Sequence, residues 1–294
     1  MSLMLFCLPE LSDMAGKLAA ASGARLCEHE MRHFPDGETY VRVIPEVSGA
    51  DVMVLWQLHQ PNTHVLPLLM LVNTLKDLGA KRVGLVAPYL AYMRQDKRFH
   101  AGEGITQRYF ARLLSQQVDW LVTVDPHLHR IHALSEVYSI PALAMTAVEP
   151  MADWIRAHVA NPVVIGPDGE SEQWAASVAK AAGCPCEVLT KERFGDRDVK
   201  VSLPHVDAYR DHTPVLVDDI ISTGKTMIQA AQHLMHAGLS APVCIGVHGI
   251  FAEGALAEMQ AAGLQVVTSN SISDPSNAID LAVLLARGVK EILQ

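Results

Sequence analysis

The sequence predicts an α/β protein with two mainly parallel sheets, each flanked by helices. Three observations lead there. Apolar strand-like runs alternate with amphipathic helical stretches along nearly the whole chain, the pattern of βαβ units. Most of these runs are apolar throughout rather than at every second position, as in strands covered on both faces. Nine such runs in 294 residues are too many for one tidy sheet, so two domains are expected.

Taken in order, LMLFCL (3–8) is a short apolar strand. LSDMAGKLAAASG (11–23) offers Asp13 as a helix cap, helical spacing and a closing Gly23. DVMVLWQL (51–58) is a strand, and HVLPLLMLVNTLKDLGA (64–80) a helix ending at Gly79. KRVGLVAPYL (81–90), VDWLVTVDPH (118–127), NPVVIGPDG (161–169) and PCEVLT (185–190) follow as strands. TPVLVDDI (213–220), APVCIGVHGI (241–250) and GLQVVTSNS (263–271) complete the set. The Pro/Ala/Thr-rich stretch SIPALAMTAVEP (139–150) is the expected boundary, which divides the chain into domains 1–145 and 146–294. LVTVDPH and PVLVDDI each end an apolar strand in acid, a faint echo of an old duplication.

Composition excludes some roles. Half the residues are hydrophobic, enough for a sizeable core, and the net charge is -9. That charge argues against a general nucleic-acid or membrane-surface role. No apolar run approaches the roughly 18 residues of a membrane span. The start MSLMLFCLPE has no basic leader, so the expected setting is cytoplasmic. Five cysteines without a CxxC pair read as free thiols.

Ligands of open α/β sheets bind beyond the carboxyl ends of the strands. In this chain those positions carry Arg94, Gln95 and Lys97, then Asp125 and His127, then Asp168, then Lys191 and Arg193, then Asp218 and Asp219. Cations, carboxylates and one histidine suit a polyphosphate, a divalent metal and a polyol. The stretch PVLVDDIISTGKTM (214–227) is the most specific. Gly-Lys-Thr after a strand suggests a nucleotide P-loop, but the first P-loop glycine would fall on Asp219. A carboxylate there would repel the phosphate. The alternative separates two tasks. Ser222, Thr223, Gly224, Lys225 and Thr226 open a helix whose backbone N–H groups favour a phosphomonoester. Asp218 and Asp219 can accept hydrogen bonds from vicinal hydroxyls. Ribose 5-phosphate has that arrangement.

VLVDDIISTGKT resembles the phosphoribosyl diphosphate (PRPP) signature of type I phosphoribosyltransferases and of PRPP synthases (ribose-phosphate pyrophosphokinases). Further segments resemble the synthases in their order. RHFPDGETYVRV (32–43) is similar to their flag region, PYLAYMRQDKRFHAGEGIT (88–106) to their ATP-binding segment and VDPHLHRI (124–131) to their metal motif. GPDGESEQWA (166–175) is similar to their Pro-Asp segment and LTKERFGDRDV (189–199) to the base of their flexible catalytic loop. The resemblance covers nearly the whole chain and points to the archaeal-type branch.

What the resemblance implies is two type I phosphoribosyltransferase-like domains that convert ATP and ribose 5-phosphate to AMP and PRPP with Mg2+. Phe34, Asp36 and Glu38 would recognise adenine from a neighbouring subunit, making a homo-oligomer of at least two chains. Arg94, Gln95, Asp96, Lys97 and His127 would bind ATP. His127 and Asp168 would hold Mg2+. Asp218, Asp219 and Ser222 to Thr226 would hold the sugar phosphate, and Lys191 and Arg193 would close over the transition state. Lys225 departs from the family pattern, which has a glycine there.

Simpler readings stand beside these. Pro-Asp-Gly after Phe34 is good turn chemistry, RQDKR can be a solvated charge run, and His127 with His129 could form part of a zinc site. Asp168 could sit in an ordinary turn, and Lys191 and Arg193 could be a surface pair. Two other functions remain open: a non-catalytic protein that regulates a synthase, and a phosphoribosyltransferase that consumes PRPP. The presence of His127, Asp168, Lys191 and Arg193 weighs against the first. The N-terminal ATP set weighs against the second. AMP formation that depends on ribose 5-phosphate separates all three.

Overall fold

The computed structural model describes residues 3–128, 130–167, 169, 171–194, 198–202 and 206–294. Asp168 and His129 lie outside the described residues. The strands are β1 (Leu3–Cys7), β2 (Arg25–Leu26), β3 (His29–His33), β4 (Thr39–Val43), β5 (Asp51–Leu55), β6 (Arg82–Ala87), β7 (Trp120–Val124) and β8 (Ala142–Met145). They continue as β9 (Pro162–Gly166), β10 (Cys186–Val188), β11 (Thr190–Phe194), β12 (Asp198–Ser202), β13 (Thr213–Ile221), β14 (Val243–Gly249), β15 (Gln265–Ser269) and β16 (Asn277–Ile279). The α-helices are α1 (Ser12–Ser22), α2 (Pro61–Asp77), α3 (Thr106–Ser115), α4 (Val148–His158), α5 (Glu172–Ala182), α6 (Lys225–His236), α7 (Ala255–Ala261) and α8 (Ala282–Ile292). No helix of the described residues is long and apolar enough to cross a membrane.

Two parallel six-stranded sheets form the core. Their orders are β2-β1-β5-β6-β7-β8 and β10-β9-β13-β14-β15-β16. Numbered within its own sheet, each runs 2-1-3-4-5-6. Each also carries an antiparallel two-stranded ribbon between its second and third strands, β3–β4 in one and β11–β12 in the other. The shared connectivity supports a duplication, but not the echo expected from sequence. The acid-ended VDPH follows the fifth strand of its sheet, whereas VDDI lies on the third strand of the other. The topological counterpart of the Gly224 loop is the β5–α2 connection. Its helix cap, Gln60, is left-handed with φ 52°, as is Gly224 at the start of α6 with φ 69°.

The chain divides into two compact units: Met1–Thr146 with Ser271–Ser273 and Leu281–Gln294, and Ala147–Asn270 with Asp274–Asp280. The expectation of 146–294 as one domain therefore misses the return of the C-terminal helix. α8 packs on α1, β7 and β8, and its Leu284, Leu285 and Val289 are buried. An amphipathic period shows which face of a helix is apolar, not which sheet it covers. The expected boundary stretch 139–150 contains the edge strand β8 and the start of α4. Asp13 is not the cap of α1; it lies in the first turn, where its carboxylate pairs with Lys17 at 2.8 Å.

Two contacts fix the neighbouring strands β5, β6 and β7 of the first sheet. Gly84 of β6 lies opposite Trp120 of β7, and a Cβ on Gly84 would come within 1.9 Å of the indole. Only glycine lets this large buried ring cross the neighbouring strand. Asp51 and Arg82, the first residues of β5 and β6, are registered partners joined at 2.7 Å. The hydrogen bond from Arg82 holds the buried Asp51 carboxyl below its usual range. A carboxylate this enclosed is tolerated because it is paired.

Candidate active site

The second sheet brings its candidate residues to its topological switch point. The order reverses between β9 and β13, where such sheets open a crevice. The β9 register covers Thr213–Leu216 of β13, while β14 stays paired as far as Ile221. β13 thus extends beyond its registered β9 neighbours, and the extension carries Asp218 and Asp219. Both acids lie within the strand, held by β14. Asp218 accepts a hydrogen bond from the Asp219 backbone N–H at 2.9 Å.

The next residues form a short loop and the first turn of α6. Gly224 has φ +69°, and a Cβ there would come within 2.7 Å of Met259 Sδ on α7. Glycine is needed both for the left-handed backbone and for the close approach. Its carbonyl accepts the first helical hydrogen bond, from Ile228 N–H at 2.9 Å. The Ser222 carbonyl accepts from Ala252 N–H at 3.1 Å, which ties the loop to the segment after β14. Lys225 and Thr226 are exposed at the helix start, where first-turn N–H groups and the helix dipole favour an anion. The left-handed position is Gly224, so Lys225, the first residue of α6, occupies ordinary helical backbone.

In the first sheet, β6 and β7 are neighbours, so the segments after them lie side by side. Arg94 and Lys97 are exposed, and Gln95 accepts a hydrogen bond from Thr106 Oγ1 at 3.0 Å. Asp96 turns inward: its side chain is 6% exposed and its two oxygens accept from Arg130 Nη1 at 2.9 and 3.0 Å. Glu103 staples the same segment by accepting from the Phe99 and His100 N–H groups at 2.7 and 3.0 Å. The side-chain hydrogen bond with His100, followed by these backbone donors, holds its carboxyl below the usual range. His127 is half-buried after β7 with φ 54°, and Asp125 has φ 35°. Non-glycine residues rarely adopt such values, and they collect at functional sites. Sequence reasoning missed Arg130; its signal was a single cation three residues beyond His127, within the same short motif.

The remaining candidates lie on the two ribbons. Phe34, Asp36 and Glu38 form the exposed tip of β3–β4, closed by Phe34 N–H to Glu38 carbonyl at 2.8 Å and by Gly37 at φ 92°. Phe34 is 41% exposed, packed edge-on against Tyr40, with the Arg32 guanidinium 4.8 Å from its ring. Lys191 and Arg193, expected at the base of an irregular loop, are alternate positions of β11, registered with Val201 and Val199 of β12. The expected loop is thus a ribbon in its described part; residues 195–197 lie outside the described residues.

In the first unit His127 offers an imidazole; in the second, Asp218 and Asp219 offer carboxylates, the hard oxygen donors that Mg2+ prefers. Among the described residues no three His, Cys, Asp or Glu side chains gather as a metal cage.

Comparison with known proteins places these features in a family. The N-terminal domain of ribose phosphate pyrophosphokinase matches residues 3–117, and the phosphoribosyl transferase domain matches residues 133–284. A ribose-phosphate pyrophosphokinase of Methanobrevibacter smithii is 31% identical over 293 residues, covering 95% of this chain and 97% of the relative. One from Methanothermobacter thermautotrophicus is 33% identical over 280 residues, covering 95% and 96%. The crystal structure of phosphoribosylpyrophosphate synthetase from Mycobacterium smegmatis has a TM-score of 0.85 at 26% identity, covering 100% of this chain and 99% of that one. With such likeness along its whole length, this chain belongs to the ribose-phosphate pyrophosphokinase family.

Proposed function

We propose that this protein transfers the β,γ-pyrophosphoryl group of ATP to the anomeric hydroxyl of ribose 5-phosphate, giving PRPP and AMP. The observation that carries the reading is the β13–α6 connection: two acids on an extended strand, then a left-handed Gly224, then a helix start. The turn suits the 5-phosphate, and Asp218 and Asp219 suit the 2- and 3-hydroxyls. Release of AMP from ATP that requires ribose 5-phosphate tests it; release of ADP would count against it.

In the reaction the anomeric oxygen bonds to the β-phosphorus while the bond from that phosphorus to the oxygen bridging to the α-phosphorus breaks. The hydroxyl proton leaves as the new bond forms, and AMP keeps the bridging oxygen. Such transfers have loose transition states and depend on positioning and charge neutralisation. Arg94, Gln95 and Lys97 bind and orient the nucleotide. Lys191 and Arg193 neutralise charge on the moving group. His127 would hold Mg2+ on the ATP side and Asp168 would hold it on the sugar side; when bound, Mg2+ supplies charge neutralisation at the phosphate oxygens.

The exposed hairpin tip at Phe34, Asp36 and Glu38 supports adenine recognition by a neighbouring chain. The active form is then a homo-oligomer of at least two subunits, and light scattering on active enzyme checks this; a fully active monomer would remove the idea. Five free thiols support a cytoplasmic setting.

A further inference from the structure

We infer that Arg130 is a positioning residue for the nucleotide: through Asp96 it ties the segment after β7 to the segment after β6. The inference rests on the proposed nucleotide role of Arg94, Gln95, Lys97 and His127, which these two segments carry.

Asp96 and Arg130 are 34 positions apart, and nothing local brings them together. The adjacency of β6 and β7 does. The Asp96 carboxylate is 6% exposed, whereas the Arg130 side chain is 50% exposed. A carboxylate so enclosed is stable when paired and hydrogen-bonded, and Arg130 Nη1 reaches both of its oxygens. The inward turn of Asp96 leaves its neighbours Arg94 and Lys97 exposed. Arg130 also approaches the Phe99 ring, at 5.9 Å, and Lys97 Nζ lies 5.0 Å from the same ring. One guanidinium therefore meets the nucleotide segment at two places.

The backbone gives the link a task. Tyr92 on one segment has φ 64°, and Asp125 and His127 on the other have φ 35° and 54°. Strained non-glycine backbone persists only where its surroundings over-determine it. The Asp96–Arg130 pair joins the two strained segments directly. On this account Asp96 serves ATP by placing its neighbours, not by touching the nucleotide.

The test is a double-mutant cycle read by calorimetric binding of MgATP without ribose 5-phosphate. Asp96→Asn and Arg130→Gln are each expected to weaken binding about tenfold, or 1.4 kcal/mol. The double variant is expected within about threefold of the worse single, because both remove one link. The KM for ribose 5-phosphate is expected to stay within about twofold in all variants, a split that general destabilisation would not produce. Arg130→Lys keeps a cation for Asp96 and is expected to recover part of the loss; it also serves if Arg130→Gln does not fold. Wild-type affinity in Arg130→Gln, or losses that multiply in the double variant, would overturn the inference. Failure of the wild-type protein to bind MgATP would instead sink the nucleotide reading on which it rests, before any variant is measured.

Discussion

Replacing Lys191 or Arg193 by alanine is expected to lower kcat roughly 100- to 1,000-fold, about 3–4 kcal/mol, the usual effect of removing one preorganised charge donor. Charge on the transferring group and its bridging oxygen changes most at the transition state. Groups that meet that change act on turnover more than on binding. KM for both substrates should therefore move less than about tenfold, or 1.4 kcal/mol. The two residues occupy alternate positions of β11, so one ribbon carries both cations. The double variant should lose less than the product of the singles, because both stabilise the same charge. Steady-state kinetics decide the matter. A kcat within about threefold of wild type, under roughly 0.7 kcal/mol, would take both residues out of the mechanism; a solvated surface pair would behave that way.

Gly224→Ala is expected to be the next most damaging change. A left-handed backbone costs a non-glycine residue about 1–2 kcal/mol. The added methyl would also come within 2.7 Å of Met259 Sδ, in a packed interior where overpacking costs about 1–3 kcal/mol. Together these predict a loss of about 2–5 kcal/mol, read by urea unfolding. The KM for ribose 5-phosphate should rise as the phosphate turn is displaced. Lys225→Gly offers the contrast. The side chain is exposed on ordinary helical backbone, so stability should change by no more than about 1 kcal/mol. Its expected effect is a higher KM for ribose 5-phosphate with a smaller change for ATP. A variant Gly224→Ala as stable as wild type, or equal shifts in both KM values for Lys225→Gly, would contradict this description of the turn.

Much of this architecture was legible because buried parallel strands are apolar throughout. DVMVL and WLVTV read as strands from composition alone. The two ribbons were harder. TYVRV and DVKVS alternate with the period of a strand, but their partners HEMRH and TKERF are charged, and that charge masks the period. The ribbons therefore read as a turn and a loop. The acids of β13 are identifiable by their spacing from the phosphate turn, yet their place within the strand depends on β14 staying in register to Ile221. The partner of Asp96 was invisible because strand adjacency, not sequence separation, brings Arg130 to it. The sheet chosen by α8 was undecidable for the same reason: periodicity describes a face, and topology supplies its partner.

In the proposed reaction a pyrophosphoryl group moves as a unit from ATP to ribose 5-phosphate. Phosphorus NMR of the purified protein with ATP, ribose 5-phosphate and Mg2+ follows both products at once. Equal amounts of AMP and of a sugar diphosphate carrying two coupled phosphorus atoms at the anomeric carbon are expected, with neither product formed when ribose 5-phosphate is omitted. Formation of ADP with a singly phosphorylated anomeric carbon, or no AMP at all, would contradict it.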